Sequence, residues 1–218
     1  MHLLKHKEKI PEKVYSVLEK RFSVLRPCQV KAINQGLFED KNMVICTPTA
    51  SGKTLVGELA VINAVFHDKG KAVYIVPLRA LASEKYNEFK ERYSFKTAIS
   101  SGDIDSSDDY LSDYDLIITT SEKFDSLLRH HTPWLKQVKV VIVDEIHLLN
   151  DASRGPTLEI LITMLRMLLK NVQIIGLSAT IGNPEQLANW LNAELVLDTW
   201  RPVRLDQGIY LDGEIEFY

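Results

Sequence analysis

Residues 47–54 of this 218-residue chain combine residue types that could bind the phosphates of a nucleotide. The segment reads Thr-Pro-Thr-Ala-Ser-Gly-Lys-Thr; it follows a short apolar run typical of a strand and precedes a helical pattern. A loop in that position can wrap its backbone N–H groups and a helix N-terminus around phosphate oxygens. Lys53 would reach the β- and γ-phosphates, and the Thr54 hydroxyl would bind Mg²⁺. The candidate nucleotide-binding residues of this loop are Thr49, Ala50, Ser51, Gly52, Lys53 and Thr54.

A second candidate for phosphate chemistry is the sequence Asp-Glu-Ile-His at residues 144–147, which follows apolar residues 140–143. Asp144 would hold Mg²⁺ through its water shell, and Glu145 would orient and deprotonate the attacking water. Neither segment is decisive alone, because the strict phosphate-loop pattern has Gly where this chain has Thr47 and because strands often end in acids. Together they predict an enzyme that hydrolyses a nucleoside triphosphate. A zinc protease is not indicated, since His147 is not part of a His-Glu-x-x-His sequence.

The elements that would position these loops alternate along the chain between strands and helices. Most of the candidate strands are continuous apolar runs, as expected of parallel strands that are buried on both faces. The pattern predicts an α/β fold with a doubly wound, mainly parallel sheet flanked by helices, which binds ligands at the carboxyl ends of its strands. The predicted strands are 43–46, 72–76, 97–100, 116–119, 138–143 and 172–177, and the predicted helices include 54–67, 80–93, 121–130 and 156–169.

Composition and charge narrow the class of protein. A chain with 45% hydrophobic and 25% charged residues can bury the core of one folded domain, which excludes a disordered tail. The formal charge of -3 excludes a protein that coats nucleic acid through bulk positive charge. Two cysteines, Cys28 and Cys46, cannot supply a four-thiolate zinc site and do not indicate a disulfide framework. The charged first residues and the lack of an apolar run of about 20 residues predict a soluble, cytoplasmic protein that does not enter a membrane.

Two further segments differ from the rest of the chain. Residues 103–115 include six aspartates and no basic residue, which predicts a solvated loop that repels phosphates. Residues 203–211 and 214–218 flank Asp212-Gly213, a dipeptide that favours a type I′ turn, so the sequence predicts a β-hairpin there.

Several of these segments, taken in order, resemble a known family. Residues 49–54, 144–147 and 178–180 resemble motifs I, II and III of the superfamily-two DExH-box helicases. Residues 77–82, 120–123 and 151–155 are similar to the nucleic-acid-contacting motifs Ia and Ib and to the Arg-Gly element of the superkiller-like branch. Arg26, Pro27 and Gln29 resemble the Q-motif, and residues 200–203 resemble the exit from the first motor domain of archaeal Hjm-type repair helicases. The resemblance covers the chain from about Leu25 to its C-terminus.

The resemblance implies a RecA-like P-loop domain, the first of two motor domains that hold ATP between them. Residues 1–24 would form a helical lead-in, residues 25–199 the ATP-binding domain, and residues 200–218 a hairpin or linker towards a second RecA-like domain that supplies an arginine finger. The implied function is a monomeric ATP-dependent 3′–5′ DNA helicase of the repair type that acts on single-stranded or forked DNA. An RNA helicase of the same branch and a non-hydrolysing ATP-binding scaffold are the alternatives.

The resemblance also implies roles for individual residues. Gln29 would recognise the adenine edge, although a Gln after Arg-Pro is also a good residue for starting a helix. Catalytic roles would belong to Lys53, Asp144, Glu145 and His147, with Mg²⁺ held by Thr54 and Asp144. Coupling of the γ-phosphate to nucleic acid would involve Ser178, Ala179 and Thr180. Contacts to nucleic acid would come from Arg79, Ser101, Gly102, Thr120, Ser121, Lys123 and Arg154.

Overall fold

A seven-stranded, all-parallel sheet forms the centre of the protein. The computed structural model describes residues 2–102, 108–204, 206 and 208–217. The strand order across the sheet is β3-β4-β2-β5-β6-β1-β7, so most neighbours in space are distant in sequence. The strands are β1 (Met43–Cys46), β2 (Lys71–Val76), β3 (Thr97–Ser100), β4 (Leu116–Thr120), β5 (Val138–Val143), β6 (Gln173–Ser178) and β7 (Glu194–Leu197).

Helices cover both faces of the sheet, which confirms the predicted doubly wound α/β architecture. Apolar residues of α1 to α4 pack in one buried cluster, and those of α5 to α7 pack in a second cluster on the opposite face. No helix among the described residues is long and apolar enough to cross a membrane. The helices are α1 (Glu12–Leu18), α2 (Pro27–Asn34), α3 (Lys53–Phe66), α4 (Arg79–Arg92), α5 (Ser121–Arg129), α6 (Gly155–Leu168) and α7 (Pro184–Leu191).

The N-terminal residues are helical and pack on the main core. A 3₁₀ turn at Leu3–Lys9 precedes α1, and Leu3, Val14 and Leu18 are buried in the same cluster as α3. Glu58 of α3 accepts a hydrogen bond from Tyr93 and a charged one from Arg92, which ties α3 to the end of α4. The N-terminal segment therefore helps α2, α3 and α4 to cover one face of the sheet.

The C-terminal residues form the predicted hairpin from β8 (Gly208–Leu211) and β9 (Glu214–Phe217). Asp212 and Gly213 both have positive φ, 50° and 93°, as a type I′ turn requires. Both strands are exposed along their whole length.

The aspartate-rich segment differs from the solvated loop that its composition predicted. Residues 103–107 lie outside the described residues, but a 3₁₀ turn spans Asp109–Asp113, and two aspartates form hydrogen bonds. The Asp108 carboxylate accepts from Ser100 Oγ at 2.6 Å, and Asp115 Oδ2 accepts from Lys96 N at 2.8 Å. The composition of the segment indicates its negative charge, but it cannot indicate these hydrogen bonds, because both donors, Ser100 and Lys96, lie outside residues 103–115.

Candidate functional site

The phosphate loop connects β1 to α3 at the carboxyl edge of the sheet. Ala50 and Gly52 have φ of 64° and 95°, and these left-handed residues turn the chain from the strand into the helix. A Cβ on Gly52 would lie 2.6 Å from Gln29 Nε2, so glycine is required here for space as well as for conformation. The Thr47 and Ser51 hydroxyls are hydrogen-bonded at 2.6 Å across the loop. Lys53 is the first residue of α3, where N–H groups have no partner within the helix and can bind phosphate oxygens.

The first turn of α2 holds the phosphate loop from the other side. Gln29 Oε1 accepts from Arg26 N at 2.8 Å, and Gln29 Nε2 donates to the Gly52 carbonyl at 3.0 Å. Arg26 Nη1 donates to the Ala50 carbonyl at 2.5 Å. Gln29 is therefore both the helix-start residue that its position indicated and a support of the phosphate loop, a contact that sequence reasoning missed. Its contact with adenine stays a prediction.

The acidic residues follow β5, two strands away from the phosphate loop in the sheet. Asp144 continues the ladder, because its N–H donates to the Ile75 carbonyl at 2.9 Å. Glu145 then adopts a left-handed conformation with φ 51° and ψ 43°, an uncommon backbone for a non-glycine residue that turns the chain into the 3₁₀ turn Ile146–Asn150. His147 Nδ1 lies 3.2 Å from Glu145 Oε2, so the histidine lies beside the predicted general base.

The Asp144 carboxylate is oriented by two donors. Tyr74 Oη of β2 donates to Oδ2 at 3.2 Å, and Glu145 N donates to Oδ1 at 3.0 Å. Burial raises the pKa of Asp144, the charge of Glu145 raises it further, and the hydrogen bonds oppose the rise. Tyr74 is itself fully buried, and burial is the main cause that raises its pKa well above the usual range. Sequence reasoning missed Tyr74, because inside an apolar strand it is indistinguishable from a core aromatic residue.

Ser178 at the end of β6 lies between the two phosphate-chemistry segments. It pairs in register with Cys46, the last residue of β1, and its carbonyl accepts from Thr47 N at 3.3 Å. Burial raises the pKa of the Cys46 thiol, and the Ser178 hydroxyl offsets part of that rise. Among the described residues the Ser178 hydroxyl is not hydrogen-bonded to Asp144 or to His147, so its coupling role stays a prediction. Ala179 is half-buried and Thr180 is exposed.

The residues predicted to contact nucleic acid follow the other half of the sheet. Arg79 is exposed at the start of α4, after β2, and Thr120 ends β4 and caps α5. Ser101 and Gly102 follow β3, and Ser121 begins α5. Since β3, β4 and β2 are consecutive in the sheet, these residues share one side of the carboxyl edge. The residues predicted to bind and hydrolyse the nucleotide share the other side, after β5, β6 and β1.

The Lys123 side chain is buried, although the residue was predicted to contact nucleic acid. Its side chain is only 2% exposed, and Nζ lies 3.1 Å from Asp108 Oδ2. The ammonium is therefore not presented to solvent, where a phosphate could reach it. The position of Lys123 after a strand indicated that it lies at the carboxyl edge of the sheet, but it could not indicate that the side chain turns inward.

Arg154 and Gly155 occupy the border between the two halves. Arg154 lines a small cavity together with Asp144 and Ser121, one residue from each half. Asp151 Oδ1 accepts from Arg154 N at 2.8 Å and from Ser153 N at 2.9 Å, and these hydrogen bonds lower the pKa of Asp151. Gly155 packs so tightly that a Cβ would lie 2.3 Å from the Leu149 carbonyl oxygen.

Comparison with known proteins gives one family and several relatives. A family model described as DEAD/DEAH box helicase matches residues 26–187. The chain is 52% identical over 208 residues to the ATP-dependent DNA helicase Hel308 of Pyrococcus horikoshii, a match that covers 94% of this chain and 29% of that protein. The protein of the same name from Methanocaldococcus jannaschii is 56% identical over 217 residues, which cover 94% of this chain and 18% of that protein.

A solved structure is similar as well. The crystal structure of the DUF1998 helicase MrfA bound to DNA superposes with a TM-score of 0.73 at 27% identity, covering 88% of this chain and 30% of that one. The chain therefore spans less than a third of the length of these relatives.

Proposed function

We propose, from the premise that this chain belongs to the DEAD/DEAH box helicase family, that it is the ATP-binding motor domain of a longer ATP-dependent DNA helicase. The observation that carries the proposal is the position of two phosphate-chemistry segments at one edge of the sheet. The loop with Gly52 and Lys53 follows β1, Asp144 and Glu145 follow β5, and β6 separates the two strands. A nucleotide bound on the loop would present its γ-phosphate towards the acids.

The side chains divide the chemistry between them. Lys53 and the first N–H groups of α3 would bind the β- and γ-phosphates and offset their negative charge. Glu145, turned out of the strand by its left-handed backbone, would accept a proton from the attacking water. Asp144, fixed by Tyr74 and by the Glu145 N–H, would stay oriented towards the metal.

The residues present fit a Mg²⁺ ion that arrives with the nucleotide. No group of three His, Cys, Asp or Glu side chains suited to a metal occurs in the part of the chain that the structure describes. The Thr54 hydroxyl and the Asp144 carboxylate are oxygen donors, and they leave the remaining positions to phosphate oxygens and water, as Mg²⁺ prefers. When bound, the ion would neutralise charge on the β- and γ-phosphates.

The substrate proposal is DNA in single-stranded or forked form. It is supported by the names of the similar helicases and by the DNA in the MrfA structure. Among the residues after β3, β4 and β2, Arg79 and Gly102 are exposed and Ser101 is half-buried, whereas Thr120 and Ser121 are buried. An exposed arginine and backbone N–H groups suit phosphate and sugar contacts rather than base recognition. The 3′–5′ polarity, the monomeric state, the cytoplasmic location and a second RecA-like domain are parts of the same proposal.

The test separates nucleotide binding from unwinding. The 218-residue chain should bind a fluorescent ATP analogue in the presence of Mg²⁺ and should turn it over slowly, because an arginine finger contributes about 10³–10⁵ in rate and would come from the second domain. It should not open a tailed DNA duplex. Strand displacement by this chain alone would contradict the proposal, and so would failure to bind nucleotide. Competition between single-stranded DNA and RNA of one sequence, with a longer protein that includes the second domain, would then decide the substrate.

A further inference from the structure

Lys123 lies on the nucleic-acid half of the sheet edge, yet both of its polar ends contact the protein. Its backbone N–H donates to Thr120 Oγ1 at 3.4 Å, and its Nζ lies 3.1 Å from Asp108 Oδ2. The Asp108 side chain is 12% exposed and also accepts from Ser100 Oγ at 2.6 Å. A buried lysine and a largely buried aspartate lose much of their hydration, so each stabilises the other's charge.

The pair connects the end of β3 to the first turn of α5. Ser100 is the last residue of β3 and pairs with Thr119 of β4, and Lys123 is in the first turn of α5. Asp108 therefore holds the end of the edge strand against the start of that helix. Ser101 and Gly102 follow Ser100 directly, so their distance from the α5 N-terminus depends on the same contact.

We propose that Lys123 is a positioning residue for nucleic-acid binding, which acts through Asp108 to set the spacing between the Ser101-Gly102 turn and the start of α5. This inference rests on the proposed function, because it concerns how the domain holds a phosphate backbone. A nucleic-acid strand that is bound at two positions on the protein requires a fixed distance between those positions. The buried ion pair supplies that separation without exposing its own charge. Buried ion pairs are best attested where they fix one arrangement among several.

A positioning role of Lys123 and a direct contact between Lys123 and phosphate predict opposite effects of Asp108→Asn on the affinity for nucleic acid. If Lys123 bound phosphate directly, Asp108→Asn would remove a competing negative charge and strengthen binding. If Lys123 acts through Asp108, Asp108→Asn and Lys123→Met would both weaken binding, by about threefold or more, because either change breaks the same contact. The double variant would then bind no worse than either single variant.

The salt dependence of binding gives a second distinction. Loss of one direct phosphate contact lowers the slope of log affinity against log salt by about 0.7 for a single strand. Loss of a buried positioning contact leaves that slope unchanged while the affinity falls. Lys170→Met is the matched control, since Lys170 is exposed near the amino end of β6 and its loss changes the net charge equally.

The experiment measures fluorescence anisotropy of a labelled oligothymidylate with the unaltered chain, the two single variants, the double variant and the control, over a range of salt concentrations. We expect weaker binding with unchanged slope in all three Lys123 and Asp108 variants, and unchanged affinity for a fluorescent ADP analogue. Stronger binding by Asp108→Asn, additive losses, or a lower slope for Lys123→Met would overturn the inference.

Urea unfolding of the same proteins tests the contact without nucleic acid. Non-additive losses in the double-mutant cycle would support the Lys123–Asp108 contact, and additive effects would overturn it. No binding of the oligonucleotide by the unaltered chain would overturn the proposed function itself.

Discussion

Gly155→Ala tests the reason for the glycine in the Arg-Gly element. The new Cβ would lie 2.3 Å from the Leu149 carbonyl oxygen and 3.1 Å from its carbon, whereas real Cβ atoms essentially never approach within 3.0 Å of another heavy atom. The carbonyl belongs to the 3₁₀ turn Ile146–Asn150, and Gly155 N donates to the Asp151 carbonyl at 2.8 Å on the same stretch. A flexible side chain could rotate away from the new methyl group, but this backbone cannot move without displacing the turn.

The expected loss of stability follows from that geometry. Overpacking typically costs about 1–3 kcal/mol, and the helix propensity of alanine returns at most about 1 kcal/mol, less at the first position of a helix. We therefore expect the free energy of unfolding in urea to fall by about 1–2 kcal/mol with an unchanged m-value. Since the turn begins next to Glu145 and Arg154 precedes Gly155, binding of an oligonucleotide should weaken while binding of ADP at the phosphate loop does not.

The matched control is Gly182→Ala. An added Cβ on Gly182 has no atom within 4 Å, and its φ lies outside the left-handed range, so stability should stay within about 0.5 kcal/mol of the unaltered chain. If Gly155→Ala is as stable as Gly182→Ala, the close approach between α6 and the 146–150 turn does not require glycine, and the reasoning is wrong.

Three further substitutions address the nucleotide site. Lys53→Ala should reduce ATP affinity by a few kcal/mol, because a positive charge and its hydrogen bonds to phosphate are lost, and equal affinity by calorimetry would refute the phosphate-loop assignment. Glu145→Gln should leave ATP binding intact and slow hydrolysis about 10²–10⁴-fold, since an amide cannot accept the proton, and an unchanged single-turnover rate would contradict that role. Tyr74→Phe removes only the hydroxyl that donates to Asp144. The Mg²⁺ concentration needed for half-maximal nucleotide binding should rise about two- to tenfold, and a superimposable Mg²⁺ titration would show that the hydroxyl does not orient the carboxylate.

Most of the elements were predictable from the sequence because their signals are local. The helices predicted at 54–67 and 80–93 are observed as Lys53–Phe66 and Arg79–Arg92, where apolar periodicity begins directly after an apolar strand and its loop. The six predicted strands are all present. β7 was missed because only Val196 of its four residues is fully buried, which leaves an edge strand with a weak apolar signal.

The arrangement of the site was less predictable because it depends on side-chain direction and strand order. The sequence indicates which residues follow strands, but the sheet order that separates β3-β4-β2 from β5-β6-β1 arises from long-range packing. Lys123 and Tyr74 both show that the sequence does not indicate which way a side chain points. A lysine near a loop proved to be buried, and a tyrosine in a core strand proved to donate to the Asp144 carboxylate.

The position of β1 between β6 and β7 has a consequence for how the protein is made. β1 pairs with β6 and β7, whose residues are synthesised about 130 to 150 residues later, whereas β2, β4, β3 and β5 can pair among themselves earlier. At about 5–20 residues per second, the strand that precedes the phosphate loop waits of order ten seconds for its partners on the ribosome. During that interval Met43–Cys46, apolar at every position, has no sheet neighbour to cover it. The strand that leads into the phosphate loop therefore gains its sheet neighbours after β2, β3, β4 and β5 have gained theirs.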